Sequence, residues 1–187
     1  MLIKFFSLLL VYIFTGIVIK YLDDFVDGDA DKDNFPYFLV LFSCATLIYA
    51  ELAICLLWAA YGIGMIPNLK IKYAYNLNGL IELTVITIAG CFVFGFLNFI
   101  FYLILMMFIQ LTDDLLDLPI DKFDNNYAKK YGVIEISLLS VNCLLILLYL
   151  NFLYTVVALV AYVLLQCYYY YRRRANDGQS DFNLFNA

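Results

Sequence analysis

The chain has 187 residues, 65% of them hydrophobic and 14% charged, with no histidine. A soluble domain is nearer half apolar and a quarter charged, so the composition is that of a membrane protein. Histidine general bases, nucleophile systems and metal sites are excluded, and eleven Lys+Arg against sixteen Asp+Glu leave no basic field for nucleic acid.

A membrane-crossing helix needs about 20 apolar residues. Residues 2–22 supply the first, and no cleavage-site pattern follows, so the segment reads as a retained helix. The run 36–66 is interrupted only by Glu51, and 73–111 is of double length with Gly90 and Gly95 near its middle. The run 133–171 cannot be one straight span and should fold back around Asn151. These patterns predict an all-α, polytopic membrane helical bundle of about seven transmembrane helices, at 2–22, 36–50, 51–66, 74–91, 92–112, 132–150 and 151–171. Five is the alternative if the two earlier runs are long tilted helices. The bundle should occupy residues 1–174, and the polar tail 175–187 is expected to be disordered. The five cysteines are scattered singly, with no C-x-x-C, and read as small hydrophobes.

Charge is concentrated. Eleven of the sixteen acids fall in two windows, Asp23, Asp24, Asp27, Asp29, Asp31, Asp33 and Asp113, Asp114, Asp117, Asp121, Asp124. YLDDFVDGDADK and LTDDLLDLPIDK align at a constant offset of ninety residues, both reading D-D-x-x-D-x-x-x-D-K. The duplication implies two repeat halves, about 1–72 and 92–174, joined by a linker helix at about 74–91. Lys20, Lys32, Lys122, Lys129, Lys130 and Arg172–Arg174 lie at the same membrane side by helix parity. The positive-inside rule then sets both windows, and the tail, in the cytoplasm of a cell-membrane protein.

If the helices continue past the membrane boundary, Asp24, Asp27 and Asp31 share one face, as do Asp114, Asp117 and Asp121. Three carboxylates on one face repel unless a cation neutralises them. Hard oxygen ligands without nitrogen or sulfur select Mg²⁺, with Asp23 and Asp113 as additional candidate ligands. Two such faces could clamp a diphosphate, with Lys32, Lys122, Lys129 and Lys130 as diphosphate-binding candidates and Lys70 and Lys72 as further cations if their loop is cytoplasmic. DGDADKDNFPYF has the D-x-D-x-D start of a calcium loop, but Lys32 stands at its glycine position and Phe38 at its glutamate position, which excludes that reading. Polar residues inside apolar runs are Glu51, Asn98, Glu135, Asn142 and Asn151. Glu51 and Asn151 suit turns, and Asn98 suits a cavity wall or a bond to a neighbouring helix.

The paired pattern resembles the signatures of the UbiA superfamily of intramembrane prenyltransferases, N-D-x-x-D-x-x-x-D and D-x-x-D-x-x-x-D. Asp24, Asp27 and Asp31 match the first and Asp114, Asp117 and Asp121 the second. AKKYGV is similar to the segment leading into that family's next helix. The resemblance implies a Mg²⁺-dependent enzyme that ionises an isoprenyl diphosphate and alkylates an acceptor, or cyclises the chain, within the membrane. The partners so implied are the diphosphate, an acceptor and membrane lipid, with a second subunit or a further copy of the chain able to complete a short bundle. Two alternatives stand beside it: a polyprenyl-phosphate sugar-phosphate transferase-like enzyme, and a non-catalytic transporter or partner subunit.

Overall fold

The computed structural model describes residues 2–26, 32–64, 78–118 and 126–184. All regular structure among them is helical: α1 (Leu2–Val26), α2 (Phe35–Gly64), α3 (Gly79–Phe94), α4 (Phe96–Leu116), α5 (Tyr127–Tyr131), α6 (Val133–Leu150) and α7 (Phe152–Leu184), with a 3-10 turn at Lys32–Asn34 before α2. Hydrocarbon offers no partner for a free N–H or C=O, so an apolar chain of this kind satisfies its backbone within helices. Five of them, in α1, α2, α4, α6 and α7, are long and apolar enough to cross a membrane. The predicted all-α membrane bundle is therefore what forms.

The helix breaks fall close to where the sequence sets them. α2 contains one non-helical residue, Tyr49 (φ −158°, ψ 87°), two positions before Glu51. Gly95 separates α3 from α4, and Asn151 separates α6 from α7. At Gly95 and Asn151 nearby side chains bond backbone groups at the break. Asn98 Nδ2 donates to the Phe94 carbonyl (3.2 Å). Thr155 Oγ1 lies 2.9 Å from the Leu147 carbonyl and 2.8 Å from that of Asn151, and Asn151 Oδ1 accepts from the Tyr154 N–H. Gly95 and Gly132 turn the chain at φ +83° and +102°, both with ψ near +144°, a region that side chains with a Cβ rarely enter.

One expectation is corrected. The polar tail does not end the structure, because α7 continues as helix to Leu184. No proline follows the apolar span, and a helix already nucleated adds residues at little cost. A short helix that the apolar pattern does not announce, α5, precedes α6.

Packing divides the bundle. α1 lies against α2 and α7, while α4 lies against α6, α3, α5 and α2. α2 therefore bridges the two groups, and the Asn151 bend links α6 to α7. The core is assembled from Leu8, Val11, Leu52, Cys55, Phe99, Leu105, Leu111, Leu147 and Val157. Thr112 on α4 and Ser140 on α6 share a hydrogen bond of 3.1 Å, a polar tie of the kind that binds helices where lipid removes the hydrophobic driving force.

Gly95→Ala tests the backbone argument in isolation, since a Cβ there would meet nothing within 4 Å. The substitution is expected to cost about 1–3 kcal/mol of stability from strain alone. Denaturant unfolding in micelles measures it, and an unchanged midpoint would show that the turn carries no strain.

Candidate functional site

α1 and α4 each carry an Asp-Asp pair in their last turns, Asp23–Asp24 and Asp113–Asp114. The end of α1 is held beside the start of α2 by aromatic pairs. Tyr21 stacks on Phe38 with centroids 3.6 Å apart, and Phe25 meets Phe35 at 6.5 Å. On α1 the acids are open to solvent: the Asp23 and Asp24 side chains are 65% and 43% exposed. Lys20 Nζ bridges them at 3.2 and 3.4 Å.

The second pair is arranged differently. Asp113 Oδ1 accepts from Tyr162 Oη (2.6 Å) and from Gln166 Nε2 (2.5 Å), two residues one turn apart on α7. Asp114 is buried. Its Oδ2 accepts from the Tyr127 N–H (2.8 Å) and its Oδ1 from Gln110 Nε2 (3.1 Å). The Asp114 carbonyl receives the Asn126 side chain at 2.8 Å, and Asn126 Oδ1 caps α5 by accepting from the Ala128 and Lys129 N–H groups. A carboxylate at a helix N-terminus meets free N–H groups and the positive end of the dipole. Asp114 thus anchors α5 to α4.

Asp117 closes α4 as its C-cap and is half-buried. Lys129 and Lys130 are exposed on α5, with the Lys130 ammonium 5.3 Å from the Tyr131 ring. Lys32 opens the 3-10 turn. Asn98 is exposed and bonds its own helix break, so it lines no interior wall. Asp27, Asp29, Asp31, Asp121, Lys122, Asp124, Lys70 and Lys72 lie outside the described residues.

Among the described residues no three acidic or thiol groups come together as ligands for a metal ion. The chemistry agrees: Asp113 and Asp114 direct oxygens to hydrogen-bond donors of the chain, and Asp23 and Asp24 to Lys20. These carboxylates alone do not fit a divalent cation. A Mg²⁺ site would need Asp27, Asp31 and Asp121, joined by Asp24 and Asp117.

Sequence reading misses several participants. Tyr162, Gln166 and Asn126 acquire their roles through contacts distant in sequence, although Asn126 three residues before Lys129 has the spacing of a helix cap; Gln110 stands only one turn before Asp114. Glu82 is also missed. It is buried in the first turn of α3 and accepts from Tyr61 Oη at 3.1 Å, while its Oε1 has no hydrogen-bond partner. An acid in so apolar a helix is a signal in itself.

Tyr127 is buried with its hydroxyl unpartnered. Burial, reinforced by the Asp114 carboxylate and by Tyr131, pushes the phenol up from 10.0 to about 12. Between those values the folded chain keeps a proton that the unfolded chain releases, so stability falls as pH rises through the window. Tyr127→Phe is expected to be neutral or stabilising at pH 7, because it removes a buried, unsatisfied hydroxyl, and to flatten the alkaline loss. Asp114→Ala should cost about 1 kcal/mol and speed amide exchange over Tyr127–Tyr131. A pH series of unfolding midpoints and exchange by mass spectrometry check the two. No family model, curated protein or solved structure matches the chain.

Proposed function

We propose that the chain acts on an isoprenyl diphosphate at the membrane edge where α1 and α4 end, with Mg²⁺ as the required ion. The observation that carries this reading is the duplicated D-D-x-x-D-x-x-x-D-K pattern, each copy of which begins in the last turn of a long apolar helix, α1 or α4. The reaction class is substitution at an allylic carbon. The carbon–oxygen bond to diphosphate breaks with its electron pair on the leaving group, an acceptor carbon or heteroatom bonds to the freed carbon, and the acceptor loses a proton. Cyclisation is the intramolecular form. The positive-inside distribution favours a cytoplasmic site, and the apolar outer faces of the helices suit a prenyl tail in the surrounding lipid.

One observation favours a second reading. Asp113 and Asp114 are committed to hydrogen bonds within the chain, as expected of a non-catalytic transporter or partner subunit in which the acids hold helices together.

Purified protein in lipid nanodiscs, incubated with radiolabelled isoprenyl diphosphates and a panel of phenolic and lipid acceptors, separates the two. Turnover that needs Mg²⁺ and falls at least a hundredfold in both Asp27→Ala and Asp117→Ala supports the enzyme. Absence of turnover in the unaltered chain, or full turnover in both variants, sinks it.

A further inference from the structure

The tie between Asp113 and α7 has a placement that helix packing alone does not explain. α4 and α7 are not close-packed along their lengths, and α1 packs on α2 and α7 with no comparable contact to α4. The end of α1 is therefore located relative to the end of α4 by indirect routes. One runs through α2, whose regular geometry is interrupted at Tyr49. Another runs through α7, which packs on α6 and through it on α4, and whose direct connection to α4 is made by side chains. Asp113 accepts from Tyr162 at 2.6 Å and Gln166 at 2.5 Å, across 49 and 53 residues of sequence.

Both bonds converge on one oxygen, Oδ1, and their donors stand one helical turn apart, so they fix the height of α7 against α4 as well as its distance. Hydrogen bonds to a carboxylate are shorter and stronger than those between neutral groups. In a bundle where lipid removes the hydrophobic drive between helices, such ties decide which helices stay together. α7 in turn packs against α1.

We propose that Asp113 is a positioning residue: through Tyr162 and Gln166 it holds α7 to α4, and so sets the gap between the acidic ends of α1 and α4. The gap bears on catalysis only under the reading proposed above. The geometry itself is testable without substrate, so failure of that reading leaves this test intact.

The test is a distance. Spin-labelled unnatural amino acids at Leu22 and Leu116, near the ends of α1 and α4, leave the five cysteines and the aromatic pairs in place. Pulsed dipolar spectroscopy in nanodiscs should give one narrow distribution for the otherwise unaltered chain. Asp113→Leu and the pair Tyr162→Phe with Gln166→Leu should broaden it or shift it by about 2 Å, the scale of helix movements at packed interfaces. Asp113→Asn, which keeps an acceptor oxygen, should restore the narrow distribution. If Asp113→Leu does not fold, Tyr162→Phe removes one bond without removing volume and reads the same change. An unchanged distribution alongside a lowered unfolding temperature would reduce the tie to a stabilising contact and overturn the proposal. Asp113→Asn as broad as Asp113→Leu would overturn it too, because charge and not hydrogen bonding would then hold the helices.

Discussion

Backbone hydrogen bonding in a medium without water constrains everything else in this molecule. Every helix end and every bend inside hydrocarbon must find partners for its freed carbonyls and N–H groups within the chain. The bends at Gly95 and Asn151 are tolerated because side chains serve the broken ladder: Asn98 donates to the Phe94 carbonyl, and Asn151 Oδ1 accepts from the Tyr154 N–H. A glycine alone would permit the turn at 95, but the side chain a few residues later makes it bearable in lipid. Polar residues in the apolar runs are therefore largely backbone servants. Asn98, Asn142, Ser43, Ser137 and Thr84 all bond carbonyls four residues before them.

Against that background the acids divide by the company they keep. Lys20 is the counter-charge of the first pair, and that pair stays wet. The second pair is drawn into the fold, one carboxylate reaching α7 and the other receiving the start of α5. A sequence repeat with a constant offset thus supports two different local structures. The difference comes from the surroundings: α4 is flanked by donors, Gln110, Tyr127, Tyr162 and Gln166, that α1 does not meet.

Period and punctuation in the sequence reveal the spans and their breaks. Long apolar runs, a glycine at 95 and an asparagine at 151 place boundaries within a few residues of those observed. The bend at Tyr49 is located only approximately through Glu51, because a tyrosine carries no turn signature. The partners of Asp113 and Asp114 are illegible for a physical reason. Tyr162 and Gln166 lie in an apolar run where periodicity marks a face but not the helix it meets. Glu82 escapes because a single acid in α3 is outweighed by the apolar residues on either side, although its burial is what makes it unusual. The continuation of α7 past the tyrosine run shows the opposite error, in which polar composition is mistaken for the end of a helix.

Helix lengths have a consequence for the surrounding lipid. At about 1.5 Å per residue, the 18 residues of α6 span roughly 27 Å, whereas the 25 of α1 span roughly 37 Å. A single bilayer cannot match both with upright helices, so α1 must lean or protrude while lipid thins beside α6. The molecule would then sit most comfortably in thin membranes, and thickening the bilayer would strain the α6 flank first.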